Sequence, residues 1–566
     1  MSNYYPDASP AGVPSPAHVP ATGKPSIPFQ SAQLQQQTLG PQTLPPNFVS
    51  APTSPPPQTP IPAQPHHQRQ PTIASYQSGS EAGATSSQEP LNIIILGASF
   101  GGLSCAHHFL DYTIDRLGTS SAVRPYRLII ISPSTHIYWN IGAPRALVKG
   151  GLIKHEDTFI PIEPGFVRHR GHDWTIVQGK AIDWDPEDRS VKIECLNLEA
   201  QKRCSYLLPK RGSKAFDTNA SVSSLPTVQS LPYHALIITT GTSAHSDLLS
   251  LHGPHLHTAD ALNAFHRKVA AAKSIVVCGG GTSGVEVAGQ LATLLNYKSH
   301  IGPFKTKVPN PKSITLITGS DRCLPGVPNP KVGTIAEKSL LKLGVEIRHN
   351  VRVTDAKEWF DQTGATRIDL SDNTQLIADV YIACTGVGPN SAFVPTYLKD
   401  DKGYIAMNHK TMRVDAAGDR VYAIGDVASY SYNYVPDVYA AVPVVMHNLL
   451  NDLIAHELSV SNPYGGNDDY IEQLVDEEYV QRENDSQLCP ISRYGGAGML
   501  LGNVLPKVMV HLLKGHDYRV CKAKGVVVNG GNPYATPIPG NKYSSEAYDD
   551  QGYRKRKIGG FGKLSG

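Results

Sequence analysis

Between residues 91 and 426 the chain repeats one theme: four or five consecutive apolar residues running straight into a glycine or threonine–glycine turn. It occurs at Asn92-Ile-Ile-Ile-Leu-Gly97, Ala235-Leu-Ile-Ile-Thr-Thr240-Gly241, Ser274-Ile-Val-Val-Cys-Gly279, Asp379-Val-Tyr-Ile-Ala-Cys-Thr385-Gly386 and Arg420-Val-Tyr-Ala-Ile-Gly425-Asp426. Unbroken apolar runs of this length predict strands buried on both faces, as parallel sheets require. Further strands are predicted at Arg127–Ile131, Ser313–Ile317 and Val345–Arg348, and helices over 102–110, 332–343 and 438–456. Between 172 and 198 the runs give way to alternation (Trp174-Thr-Ile-Val, Ser190-Val-Lys-Ile), which predicts antiparallel strands. Residues 200–230 are polar and read as a surface insertion, 460–490 read as an acidic loop, and 495–530 turn apolar again.

Composition adds limits. The 566 residues suffice for two or three domains. A net charge of +3 gives no reason to invoke nucleic acid. The eight cysteines are scattered without a C-x-x-C, so neither a zinc ribbon nor a thioredoxin-like dithiol is suggested, and a reducing compartment fits. Residues 1–89 carry 18 of the 45 prolines and few charges. Such a segment buries too little apolar surface to offset chain entropy and reads as a solvated tail, a Pro-rich ligand being the alternative. It shows neither a signal peptide nor an Arg-rich transit peptide, and Met1-Ser2 does not permit N-myristoylation. The basic run Arg554–Lys557 sits in a second expected tail, 536–566. No apolar run approaches the ~18 residues of a membrane span. The histidines, including the pair His107-His108, show no spacing that forms a metal site.

The chemistry concentrates in two glycine loops. The first is Gly97-Ala98-Ser99-Phe100-Gly101-Gly102; the second is Gly279-Gly280-Gly281-Thr282-Ser283-Gly284, followed by Glu286 and Ala288. A dinucleotide loop needs small residues for a tight turn, for approach of backbone N–H groups to pyrophosphate, and for close helix–strand packing, and the helix N-terminus then favours the anion. The second loop is a full match, while the first has Ser99 where glycine is usual. Glycines serving turn packing alone are the competing reading. Two additions weigh against it: the strand-ending segments with Thr240-Gly241 and Thr385-Gly386, and Gly425-Asp426, whose carboxylate can accept a hydrogen bond from a ribityl hydroxyl. Glu286 either orients a nicotinamide or complements the helix dipole. Ser132 and Thr318 stand where an acid often holds a ribose, and the nearby Arg322 leans toward acceptance of NADPH.

These residues resemble the pyridine-nucleotide–flavin oxidoreductases with two dinucleotide-binding domains, most of all the apoptosis-inducing-factor-like and ferroptosis-suppressor-like group with its fungal members, which overlaps in fold with type II NADH dehydrogenases. The resemblance covers about 90–455 and, more loosely, 495–530. Its marks are Tyr138-Trp139-Asn140-Ile-Gly-Ala-Pro-Arg145, Asp437-Val-Tyr-Ala-Ala-Val-Pro443 with Asn448, and Leu505–Tyr518. It implies an α/β fold of two Rossmann-like domains: an FAD domain in two pieces, 90–265 and 389–456, interrupted by an NAD(P)H domain at 266–388 and followed by a C-terminal region, 457–535. It places Asn140, Arg145 and Asp426 near the flavin nucleotide. It also implies hydride transfer from NADH or NADPH to FAD, then electron transfer to a small acceptor, quinone-like or other, with no side chain strictly catalytic. Where relatives carry Gln near the flavin, this chain has Ala440-Ala441.

Other readings stay open: a nucleotide-sensing signalling protein with little turnover, and a sulfide–quinone or disulfide reductase, for which Cys195 and Cys204 lie too far apart in sequence to form a C-x-x-C. Met499–Leu513, with Lys507, His511 and Lys514, has the composition of a segment lying on a bilayer, packing on the flavin domain being the alternative, with Pro506 expected to interrupt a helix. The expected location is cytoplasmic, peripheral on a membrane or lipid droplet, or in association with mitochondria.

Overall fold

The computed structural model describes residues 89–118, 123–148, 152–208, 226–299, 305–359, 364–481, 483 and 485–535. All fall in one compact unit, Gln64–Gly566. The tail expected at 1–89 (all but its last residue) and the tail expected at 536–566 lie outside them.

The apolar runs form two separate parallel sheets. In the first, Leu91–Leu96 lies between Tyr126–Ser132 and Ala235–Ile238, with Val421–Ala423 at one edge and Trp174–Asp185 beyond Tyr126–Ser132. These five strands are parallel, and every residue of Leu91–Leu96 and Tyr126–Ser132 is buried. The alternating segment does turn antiparallel: Trp174–Asp185 is long enough to pair with Tyr126–Ser132 at its start and with Ser190–Cys195 beyond, and Val228–Pro232 closes the sheet. The second sheet runs Val345–Arg348, Ser313–Ile317, Ser274–Cys278, Val380–Ala383, all parallel. A three-stranded antiparallel sheet, Val353–Glu358, Thr366–Leu370 and Gln375–Ala378, follows before its last strand. The first sheet is thus completed only after the second has been made. The two passages between them pair as a short antiparallel ladder, Thr242–Ala244 against Val387–Pro389.

Three expectations change. Residues 200–230 are not wholly an insertion. Leu198–Leu207 is a helix capped by the Asn197 side chain, which accepts from the Ala200 N–H at 2.7 Å, and Val228–Pro232 is a sheet strand. Polar side chains hide both from a hydropathy reading, because only Ala200, Cys204 and Leu207 of the helix are buried. Cys204 also comes into hydrogen-bond contact with Cys195, nine residues back, because strand and helix fold onto each other. Finally, Pro506 does not interrupt a helix. It stands as the cap before Lys507–Val510, where its missing N–H costs nothing.

The long helix Val435–Ser461 is apolar and long enough to cross a membrane by composition, but 72% of that stretch is buried inside the protein. It packs on the helix Phe100–His108, Gly101 taking the Val438 side chain. Its polar side is fastened by a buried network. Arg413 forms ion pairs with Asp452 (2.9 Å) and Asp476, and the Tyr422 hydroxyl donates to Asp452 at 2.7 Å. Asn448 donates to the carbonyls of Thr411 and Glu477 and accepts from the Glu477 N–H. Removing one partner of such a pair leaves a buried charge uncompensated. Arg413→Ala should therefore cost about 3 kcal/mol or more in chemical denaturation, while Lys192→Ala, at an exposed pair with Asp183, should change little.

Candidate functional site

The two glycine loops share one backbone plan. Each first glycine follows a buried strand and donates its N–H to a carbonyl near the end of the neighbouring strand at 2.8 Å: Gly97 to Ile131, Gly279 to Ile317. Each has a left-handed φ, +105° and +121°. A β-carbon on Gly97 would collide with the Thr239 carbonyl, and one on Gly279 with the Cys384 carbonyl. A β-carbon on Gly102 would strike the Gly97 carbonyl, and one on Gly284 the Gly279 carbonyl, so the helices Phe100–His108 and Thr282–Asn296 begin directly at the strand ends. At the middle position nothing lies within 4 Å of where a Gly281 side chain would start. Ser99 occupies the same place in the first loop, exposed and without a side-chain cap bond to its helix. In both loops the first helical N–H groups lack intrahelical partners and point where an anion would sit.

Around the first loop, Ala98 and Phe100 are buried, Phe100 edge-on to Trp139 at 5.5 Å. Thr239 donates its hydroxyl to Leu96 O (2.9 Å) and Gly97 O (3.1 Å), locking the turn. Thr240 donates to Asn390 O and Asn390 returns a bond to Thr240 O, while Gly241 (φ +65°) accepts from the Asn390 N–H, so this pair joins the passages between sheets. Thr385 lies within 3.1 Å of His245 Nδ1, beside Gly386 (φ +107°), at the opposite end of that ladder. Gly425 (φ +79°) turns the chain after Val421–Ala423. The Asp426 carboxylate then accepts from Ser431 (3.3 Å) and Thr242 (3.5 Å) hydroxyls. Burial pushes its pKa up to about 6, against the pull of those two hydroxyls. Asn140 is exposed in a short turn.

Arg145 is otherwise engaged. Its guanidinium donates to the carbonyls of Gly515 (2.7 Å) and His516 (2.8 Å) and to Gln290 (3.3 Å), and it lies over the Tyr518 ring. It therefore ties the C-terminal region to the helix Thr282–Asn296. Glu286 on that helix is buried and ion-paired to Lys514 at 2.7 Å. Burial raises the Glu286 pKa, opposed by Lys514; burial works to lower that of Lys514, but Glu286 together with Tyr534 and Cys489 raises it on balance. Thr282 accepts from Gln487, Ser283 is exposed, and the Ile491 backbone packs on Gly289. Trp139 donates its indole N–H to Tyr518 O at 2.9 Å. The strands Gln487–Ser492 and Gly495–Leu500 with the turns after them thus form a clasp over both loops' surroundings, which no local motif in the sequence announces.

Among the described residues, His107, Asp111 and His169 bring their ligand-type atoms within 4.8 Å of one another, a juxtaposition the sequence hides. Arg168 holds both Asp111 oxygens (2.6 and 2.5 Å), and His107 Nε2 must donate to Val527 O, which leaves its Nδ1 to accept from His169. That satisfies the cluster as a polar tie to the C-terminal helix Ala523–Asn529.

The profile of the pyridine nucleotide-disulphide oxidoreductases matches residues 91–444. The chain belongs to that family. It is 31% identical over 449 residues to oxidoreductase phnG of Penicillium herquei, across 78% of this chain and 96% of the relative. It is 23% identical to ferroptosis suppressor protein 1 of Homo sapiens, across 75% of this chain and 93% of the relative. Among solved structures it matches NDH2 from Plasmodium falciparum in complex with NADH at a TM-score of 0.48 and 13% identity, over 74% of this chain and 92% of that one. The fold is accordingly α/β with Rossmann-like domains, and the chain is an FAD-dependent oxidoreductase with NAD(P)H as co-substrate.

The state of Asp426 makes a prediction about the flavin. With its pKa raised to about 6, the Asp426 carboxyl is mostly protonated near pH 5; were a ribityl hydroxyl to donate to the ionised form, it would lower that pKa, so binding would release a proton and strengthen as pH rises. FAD affinity, measured by flavin fluorescence quenching, should rise about five- to tenfold from pH 5 to 7, and Asp426→Asn should flatten the profile.

Proposed function

We propose that the protein carries reducing equivalents from NAD(P)H through FAD to a quinone-like acceptor. The observation that supports this reading best is the pair of similarly built glycine loops at the carboxyl ends of two separate parallel sheets, with the half-buried Asp426 following a strand of the first. On this reading Gly97, Ser99, Gly101 and Gly102 hold the pyrophosphate of FAD, Asp426 holds its ribityl chain, and 90–265 with 389–456 form its domain. Gly279, Gly281, Thr282, Ser283 and Gly284 hold NAD(P)H within 266–388. The open space over Gly281 leaves room for the nucleotide at the second loop, while the missing β-carbons of Gly97 and Gly102 let the strand end and helix start pack directly together. When bound, FAD supplies hydride acceptance and electron release.

The chain's own residues bind and position. Glu286 holds Lys514 against the start of the second-loop helix, which favours a structural charge pair over direct contact with the nicotinamide. The Cys195–Cys204 pair is buried, and its strand lies three places along the sheet from the first-loop strand, so a dithiol relay gains no support. A lipid-borne acceptor is favoured by the outer edge of the C-terminal region. There Leu500, Leu501, Val508, Met509 and Leu512 are exposed in the Met499–Leu513 stretch, while Met499 and Val510 pack inward. This suits a protein on the cytoplasmic side of a membrane or lipid droplet.

The test is anaerobic. NADH or NADPH should bleach the flavin absorption of the purified protein, and quinone should restore it. Leu501→Asp with Leu512→Asp should slow reoxidation by a long-chain quinone in phosphatidylcholine vesicles and spare reoxidation by a water-soluble quinone. A flavin that NAD(P)H leaves oxidised would favour a nucleotide-sensing protein instead.

Arg352, rather than Arg322, stands where a 2′-phosphate would be read. Arg322 donates to the carbonyls of Pro325 and Val327. The stem and Nε of Arg352 lie over Gly319, at the end of Ser313–Ile317, and Thr318 there is buried. Arg352→Ala should raise KM for NADPH about tenfold or more, as loss of a charge-assisted phosphate contact does, and leave KM for NADH unchanged in steady-state assays.

A further inference from the structure

Two stretches of the chain carry no Asp or Glu at all: residues 287–320, which begin on the second-loop helix, and residues 486–516, in the C-terminal clasp. The fold lays one along the other. Gln487 donates to the Thr282 hydroxyl at the start of the helix Thr282–Asn296, and the Ile491 backbone packs on Gly289 further along it. The strand Gln487–Ser492 therefore runs in the same direction as the helix. The helix ends at Asn296, about 10 Å beyond Gly289, and the turn Arg493-Tyr494 comes out over that last stretch. From the same helix end the hairpin of Tyr297–Ser299 and Lys305–Lys307 leads off.

The cations of both stretches face outward without acid partners. Lys298, Lys305 and Lys307 on the hairpin, Arg493 on the turn, and Lys507 at the head of Lys507–Val510 are all exposed, and among the described residues none of them forms an ion pair. Lys305 and Lys307 share one face of their strand, with Lys305 Nζ over the Tyr297 ring at 4.1 Å. Lys507 stands against Gly495, next to the turn, where the Arg493 guanidinium lies over the Tyr494 ring at 5.4 Å. The bordering acids are occupied elsewhere. Glu286 is buried against Lys514, and Asp517 accepts from the Arg519 and Cys521 N–H groups of its own turn. Asp485, at the other end of the strand from Arg493, accepts from the Ser486 hydroxyl. The helix Pro330–Lys342, which packs under the clasp, has Glu337, and that side chain accepts from the Cys323 N–H. Beside the cations, Val508, Met509 and Leu512 are exposed, while Val510 packs inward on Gly496 and Gly498, so this apolar row faces away from the protein.

We propose that this face docks on a lipid surface of net negative charge, with Arg493, Lys507 and the hairpin lysines at the headgroups and Val508, Met509 and Leu512 at the acyl boundary. The inference rests on the lipid-borne-acceptor reading above and deepens it, adding the lipid charge that the protein selects and the second element, the hairpin, that selects it. An apolar row with cations at its flank is the composition of an interfacial segment. An acidic protein would use the cations and leave the apolar row idle. Each Lys or Arg close to such a surface favours binding by about fivefold, and the effect fades with salt.

The test is vesicle flotation of the flavin-loaded full chain, with phosphatidylcholine alone against phosphatidylcholine in which about a third of the lipid is phosphatidylglycerol. The protein should bind the anionic vesicles at least tenfold more tightly, and half-molar sodium chloride should remove the difference. Lys305→Gln with Lys307→Gln, and separately Arg493→Gln with Lys507→Gln, should each lose about tenfold or more on the anionic vesicles and leave binding to phosphatidylcholine unchanged. Lys192→Gln, on the antiparallel part of the first sheet, should change neither. Unchanged flavin absorption reports that each variant is folded. Equal binding to the two vesicle types would overturn the proposal and favour an acidic protein as the partner. Undiminished binding to the anionic vesicles in either double variant would overturn it as well. Flotation involves no turnover, and reoxidation by a water-soluble quinone, measured on the same preparation, reports separately on the electron-transfer reading.

Discussion

The architecture rests on one steric constraint: a strand must end and a helix begin within a few residues, twice, without leaving room for a side chain. Gly102 lies against the carbonyl of Gly97, and Gly284 against that of Gly279. Any β-carbon at these positions would push the helix off the strand end, and with it the fan of unpaired helix N–H groups that makes the place attractive to an anion. Thr239 and Cys384, on the strand next door in each case, supply the wall against which the first glycine must fit. The loops are equivalent because the same backbone problem was solved in the same way.

What distinguishes them lies around them. The first loop is completed by chain that returns more than 300 residues later, bringing Asp426 and the helix Val435–Ser461 onto it. Burial leaves that carboxyl near the middle of the pH scale, ready to be ionised by a donor. The second loop is overlaid by the C-terminal clasp, whose Lys514 neutralises the buried Glu286. Arg145 and Trp139 carry that clasp back to the first sheet's side. Two glycine loops and a C-terminal cover are thereby joined through polar contacts that each fasten a different pair of segments.

Much of this was legible from the residues. The parallel sheets follow from apolar runs that no half-solvated strand would carry, and the glycine spacing follows from the turn it must make. The antiparallel strands showed in their alternation. Residues 198–207 were missed because a polar helix lying on a sheet edge carries too few apolar positions to show its period. Cys195 and Cys204 looked separate because sequence spacing does not record how a strand and helix fold onto each other. Arg322 is close to Thr318 in sequence, but its guanidinium donates to the Pro325 and Val327 carbonyls, whereas Arg352, distant in sequence, lies against Gly319 in space.

The sequence by itself determined the elements, the places where the backbone must pass without side chains, and the family those places imply. These depend on local sterics and on hydrophobic period, which neighbouring residues encode. Tertiary structure alone decided which charges meet: Glu286 with Lys514, Arg145 with the Gly515 and His516 carbonyls, and Arg413 with Asp452 and Asp476. A charge's partner is set by distance in a folded, low-dielectric interior, and no spacing along the chain carries that information.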